Sequence, residues 1–260
     1  MGFWPDGYQC CVNISFDYDS SSAKMWTTPL DIINQSRGRF APNVAIPRIL
    51  DMLDRHKMKT TFFVPGWTAD NYPESVDEII RQGHEIGAHG YMHEKLGELS
   101  WEAEDEVFKK GLEALARRGV KPEGFRAPSW IISDRTINRI IKYGFKYDSN
   151  FMDNDMPYML KWRGVDTGLV ELPVEWMLDD WPQYDTERRP PDVAYQIWRS
   201  EFEGLHRLGR YFGLTCHPQA SGRISRLDML EKLLTEMEAK GDVWFASCKE
   251  VADWTRKKLT

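Results

Sequence analysis

The sequence predicts an α/β protein built as a closed or nearly closed (β/α) barrel, and two patterns predict it. The first is a repeating order of helix, glycine and strand. An amphipathic helical pattern, then Gly, then a short strand-like run appears in RQGHEIGAH, RRGVKPEGFRA, KYGFKYD, RLGRYFGLTCH and AKGDVWFAS. The second is the alternation itself. Strands regularly separated by helices pair in parallel, and six or seven such units in one chain suffice to close or nearly close a barrel. An open doubly wound sheet is the rival. The chain carries no GxGxxG or GxxxxGK[ST], so nothing supports a nucleotide site at a switch point.

Each element has a local reason. Gly83, Gly119, Gly144, Gly209 and Gly241 read as helix stops, because a chain leaving a helix often turns through a left-handed residue. Before Gly119, Val107, Phe108, Leu112 and Leu115 recur at helical spacing behind Ser100, a candidate N-cap. A sixth unit, NVAIPRILDMLDRHKMKTTFFV, keeps the order without the glycine. Residues 18–40 and 149–170 are longer than ordinary connections and are expected to be loops serving as lids or oligomer contacts. No linker, repeat or low-complexity tract divides the chain, so residues 1–260 are expected to form one domain.

Composition narrows the function. A hydrophobic content of 42% over 260 residues builds a substantial core. The net charge of -6, with lysines and arginines scattered, argues against nucleic acid and anionic membrane as partners. No apolar run approaches the roughly 18 residues that span a bilayer, and MGFWPDGYQC lacks the features of a secretory signal, so a cytoplasmic location is expected. Cys10, Cys11, Cys216 and Cys248 form no disulfide or metal pattern and read as reduced core thiols.

In parallel α/β folds chemistry collects at the carboxyl ends of strands. After CCVNISF stand Asp17 and Asp19, and after HEIGA stand His89 and His93, a pair four apart that reads as lying near a helix start. Arg126 follows GF, Asp148 ends FKYD, Glu175, Asp179 and Asp180 follow VELPV, and His217 follows YFGLTC. Each alone has an ordinary explanation: a turn-capping aspartate, a surface ion pair, a satisfied loop histidine. A barrel brings them to one mouth, which changes the odds. Catalytic zinc and similar ions take three protein ligands and keep a position open, and Asp19, His89 and His93 fit that count. Asp17, beside the metal, suits a general base.

The ordered set resembles the polysaccharide deacetylase family, the NodB-homology carbohydrate esterases, over about residues 11–254. SFDYD at 15–19, HGYMH at 89–93, RAPSW at 126–130 and TCHP at 215–218 look like its four motifs. The resemblance implies a NodB-like distorted (β/α) barrel of seven or eight units. It also implies Asp17 as base, Asp19, His89 and His93 as metal ligands, Arg126 as partner of Asp17, and His217 as general acid. Asp180 or Asp179 is then the carboxylate expected to orient His217. Tyr18 is inserted between the two aspartates, Gly90 replaces a Ser or Thr, and Trp130 replaces a glycine. Those departures, with KTTFFVPGW and HPQASGR, resemble the family's intracellular branch, which holds peptidoglycan deacetylase-like, cyclic imide hydrolase and allantoinase-like proteins. It implies a homotetramer.

The expected activity is therefore metal-dependent hydrolysis of non-peptide carbon–nitrogen bonds in a small cyclic imide, ureide or N-acyl compound. Zinc is the expected ion, with Co2+, Ni2+, Mn2+ or Fe2+ as alternatives. Peptidoglycan or chitooligosaccharide N-deacetylation, on an N-acetylated sugar, is the second reading, and a catalytically silent binding protein is the third. Trp26, Trp130, Trp176 and Trp181, and with them Trp67, lie in or near strand-end loops where a flat apolar wall suits a sugar ring or a planar imide.

Overall fold

A computed structural model describes residues 2–28 and 30–260, and the side chain of Trp26 lies outside the described residues. Its strands are β1 (Cys10–Asp17), β2 (Thr61–Val64), β3 (Glu85–Ala88), β4 (Gly124–Phe125), β5 (Tyr147–Asp148), β6 (Tyr158–Trp162), β7 (Val165–Glu171), β8 (Tyr211–Cys216) and β9 (Val243–Phe245). They form one sheet in the order β6-β7-β5-β4-β3-β2-β1-β8, with β9 also on β1. All pairings are parallel except β6 with β7. The result is the expected distorted (β/α) barrel. Between strands run α1 (Ser22–Thr27), α2 (Ile32–Phe40), α3 (Ile46–Arg55), α4 (Gly66–Asn71), α5 (Pro73–Arg81) and α6 (Trp101–Ala116). The remaining helices are α7 (Asp134–Lys142), α8 (Pro191–Leu208), α9 (Pro218–Ser221), α10 (Ile224–Glu238) and α11 (Cys248–Leu259).

The strand period of two sorts side chains between two cores. Along β1, Cys10, Val12, Ile14 and Phe16 join the larger cluster, which packs against the helices. Cys11 joins a smaller cluster with Phe63, Tyr147, Val170 and Tyr211, contributed by β2, β5, β7 and β8. That second set fills the barrel interior, and Asn13, Ser15 and Asp17 share the inward parity of Cys11. α6 starts behind Ser100, whose side chain accepts from Ala103 N, and buries Val107, Phe108 and Leu115. All five stop glycines take the left-handed conformation. At Gly119 a Cβ would meet nothing, so backbone conformation alone favours glycine there. The four cysteines are free and buried.

The barrel is incompletely closed. Among the described residues no ladder joins the β6–β7 edge to β8. The segment after β7 crosses that gap and touches β8 through a single bridge, Asp179 to Thr215.

Two expectations need correction. Residues 18–40 are not an irregular loop, because α1 and α2 occupy most of them. Residues 149–170 are mostly the β6–β7 hairpin at the sheet edge, turning through Arg163 and Gly164, both at positive φ. That is the backbone a two-residue hairpin turn needs. No helix among the described residues is long and apolar enough to cross a membrane.

Candidate active site

Inward parity carries the strand-end residues to one mouth. Asp17 ends β1 facing inward, and the alternation continues one step past the strand, since Tyr18 N still donates to Phe63 O at 2.8 Å. Tyr18 therefore turns outward into the core, its hydroxyl 2.6 Å from Ser75 Oγ, and Asp19 returns inward beside Asp17. The inserted tyrosine thus leaves both carboxylates facing the mouth.

His89 follows β3 at inward parity. The pair 89–93 is not at a helix start as expected. It lies in a loop bent by positive φ at Gly90 and His93. Gly66 N and Trp67 N donate to Gly90 O and Tyr91 O, at 3.0 and 2.8 Å. Buried Glu94 accepts from Tyr91 N and Met92 N, at 3.1 and 2.9 Å. Sequence reasoning missed Glu94, which shapes the loop that returns His93 to the mouth.

Asp19, His89 and His93 present ligand atoms within 4.8 Å of one another. His89 Nδ1 donates to Arg126 O at 2.8 Å, which fixes the tautomer and leaves Nε2 free to ligate. His89 Nε2 and Asp19 Oδ1 lie 3.4 Å apart, both buried without a hydrogen-bond partner. Two orphaned atoms aimed at one space fit a cation, since buried polar groups otherwise find partners. Burial penalises the Asp19 carboxylate, but His93, His89 and His217 outweigh that and hold it well below its usual range. Burial also lowers His93, favouring the neutral imidazole a metal requires.

Asp179, Asp180 and His217 form a second cluster of similar spread. Hydrogen bonds already occupy it. His217 Nδ1 donates to Asp180 Oδ1 at 2.7 Å, and Asp180 Oδ2 accepts from His217 N at 2.9 Å and from Ser221 Oγ. Asp179 lies 3.6 Å from Nδ1 and accepts from Trp181 N. Of the two candidates, Asp180 is the one hydrogen-bonded to the ring. Burial opposes charge on His217, but Asp180, Asp179 and Asp19 raise the ring well above its usual range. Its Nε2 stands 3.7 Å from Asp19 Oδ2.

Arg126, 2% exposed, pairs through Nη1 with Asp17 Oδ1 at 2.7 Å. Its Nη2 donates to Ser149 Oγ at 3.1 Å, and its guanidinium lies 4.2 Å from the Phe63 ring centroid. Asp17 Oδ2 is left 3.8 Å from His89 Nε2, on the side of the candidate ligands.

A cavity of about 330 Å³ opens over these groups, lined by Asp17, Asp19, His93, Asp179 and His217. Trp130, Trp176 and Trp181 line it as well. Trp130 and Trp176 meet edge to face at 4.7 Å, and Trp181 stands 5.4 Å from His217. Trp67 does not line it and packs on Tyr72 instead. The Trp26 side chain lies outside the described residues. Two further strand-end acids are not in the cavity: Glu175 caps Met177 N, and Asp148 is buried beside Glu171. Burial raises Asp148 to about 7.

Residues 11–147 match the polysaccharide deacetylase family. The chain belongs to that family. The Helicobacter pylori peptidoglycan deacetylase is 33% identical over 252 residues, covering 84% of this chain and 86% of that relative. A Mycobacterium smegmatis protein assigned to the polysaccharide deacetylases superposes with a TM-score of 0.92 at 40% identity, over 99% of this chain and 94% of its own. An allantoinase shares the fold at a TM-score of 0.89 and 18% identity, over 98% and 93% of the two chains. As a polysaccharide deacetylase-family protein, the chain is a hydrolase of carbon–nitrogen bonds other than peptide bonds. The orphaned donors fit the metal dependence typical of that family.

Proposed function

We propose that the protein hydrolyses an amide bond in a small cyclic imide, ureide or N-acyl compound, with Asp19, His89 and His93 holding a zinc ion. Enclosure of the mouth carries this reading. Residues of α1 and α2 (Ala23, Lys24, Asn34 and Gly38) line the cavity together with Trp130, Trp176 and Trp181. Its volume of about 330 Å³ is at the small end of ligand pockets. Two imidazoles and a carboxylate with an open position are a donor set zinc accepts.

When bound there, the cation supplies Lewis acidity, acidifying water and polarising a carbonyl. Asp17 takes the proton of the attacking water at Oδ2, because Arg126 occupies Oδ1 and leaves Oδ2 on the side of the candidate ligands. As the carbon–nitrogen bond breaks, the nitrogen needs a proton. His217 delivers it from Nε2, since Asp180 holds Nδ1 and so turns Nε2 towards the mouth. The tryptophan wall holds a flat ring and excludes water.

The Helicobacter relative favours a second reading, N-deacetylation of peptidoglycan or a chitooligosaccharide. Turnover by the zinc-loaded protein on glutarimide and on an N-acetylglucosamine oligomer, side by side, separates the two. Imide opening without acetate release is the expected result. Acetate release alone replaces the first reading with the second.

A further inference from the structure

Beside the reaction cavity lies a second cavity of about 550 Å³, lined by Arg37, Arg188, Arg189, Arg223 and Arg226 with Tyr184, Asp185 and Ser225. Five arginines in one concavity run against a chain whose net charge is -6. Arg37 pairs with Asp185. Arg188, Arg189, Arg223 and Arg226 have no ion pair among the described residues. Two are held by aromatic faces, which position a guanidinium without neutralising it: Arg223 over Phe40 at 3.6 Å and Arg226 over Tyr184 at 4.5 Å. Burial, and then the charges of Arg37, Arg226 and Arg48, push Arg223 below its usual range.

Two further features point the same way. α10, 15 residues long, begins here with no side-chain cap and no acidic residue in its first turn. Its N-terminal dipole end thus adds to the positive field. Tyr184, 3% exposed, has a hydroxyl without a hydrogen-bond partner.

We propose that this cavity binds an oxyanion, a carboxylate or a phosphate, next to the reacting groups. Arg37 links the two sites, because it lines both cavities and lies over Trp181 at 5.1 Å. An acidic substituent on the substrate seated there would fix which bond meets Asp17 and His217. Only this coupling to turnover rests on the function proposed above; the binding itself does not.

The test is calorimetric titration of sulfate into the zinc-loaded protein at constant ionic strength. One saturable site is expected, weakened at least tenfold in R223Q/R226Q and in R188E, and retained in R223K/R226K. Arg188 is exposed and unpaired among the described residues, so R188E keeps the test valid if the double variant misfolds. Binding must also persist in D19A, which excludes sulfate on the metal. Equal affinity in wild type, R188E and R223Q/R226Q overturns the proposal, as does loss of binding in D19A. Kinetics then separate the two sources of the anion. Sulfate that raises KM for a carboxylate-bearing imide but not for a neutral one places the anion on the substrate. Sulfate that changes kcat on the neutral imide makes it a separate small anion. Absence of imide turnover overturns the hydrolase reading and leaves the sulfate result standing.

Discussion

At the scale of single residues, Tyr18 shows how much one position decides. With one residue between them, Asp17 and Asp19 share a face only if the alternation runs past the strand, and the Tyr18 N to Phe63 O bond makes it do so. The sequence displayed both aspartates but not that bond, which depends on β2, more than forty positions away. Adjacent Asp179 and Asp180 were indistinguishable for a similar reason: they sit in an irregular segment where no periodicity assigns a side. Asp180 receives three donors, His217 Nδ1, His217 N and Ser221 Oγ. Asp180→Asn keeps the shape but turns an amide NH2 towards donors. It should disturb the His217 tautomer and lower kcat by roughly 10²- to 10⁴-fold, the usual worth of a general acid. Metal content by mass spectrometry should stay unchanged; metal lost in proportion to activity would sink this role.

Elements transmit those positions. Phe63 on β2 faces Gly87 on β3 in the sheet register, and a Cβ at Gly87 would lie 2.5 Å from the Phe63 ring. The same ring carries the guanidinium of Arg126. Gly87→Ala should therefore cost about 1–3 kcal/mol by overpacking the interior, read as a lower urea midpoint at unchanged m. An unshifted midpoint would mean the ring moves freely and Arg126 is not held by it. The loop at 89–94 depends on Glu94 in the same manner. Glu94→Ala orphans two backbone N–H groups and should weaken metal affinity roughly 10- to 100-fold, as loss of supporting contacts does elsewhere. Competition with a chelating dye measures this, and wild-type affinity would show that the Gly66 and Trp67 contacts alone hold the loop. Legibility was uneven at this scale. Arg163 and Gly164 both take positive φ at the hairpin turn, but Arg-Gly is not one of the dipeptides that mark such a turn, so the hairpin is not legible locally. α2 was hidden because it lacks an apolar stripe: Ile32 and Ile33 are exposed, and Gly38 sits where a Cβ would press within 2.5 Å of Ser20 O.

Across the whole molecule, the order of units was legible because an amphipathic helix, a stop glycine and a short strand recur along the chain, a signal that is local each time. Closure was not. Whether residues 172–181 bridge to β8 depends on a contact with Thr215, far along the sequence, and it amounts to one bridge. The candidate ligands come from the ends of β1 and β3, which flank β2, so a bound ion ties neighbouring strand ends together above the interior core. Binding to the folded state alone, at metal one hundred times Kd, adds about 2.7 kcal/mol. For a chain of this size that corresponds to roughly 5–10 °C in Tm. Scanning calorimetry of the metal-loaded protein with and without chelator should show that loss. Asp19→Ala, which removes a ligand, should melt at one temperature in both conditions. A chelator shift that survives in Asp19→Ala would place the stabilising metal elsewhere and remove the ligand set from which the proposed chemistry is built.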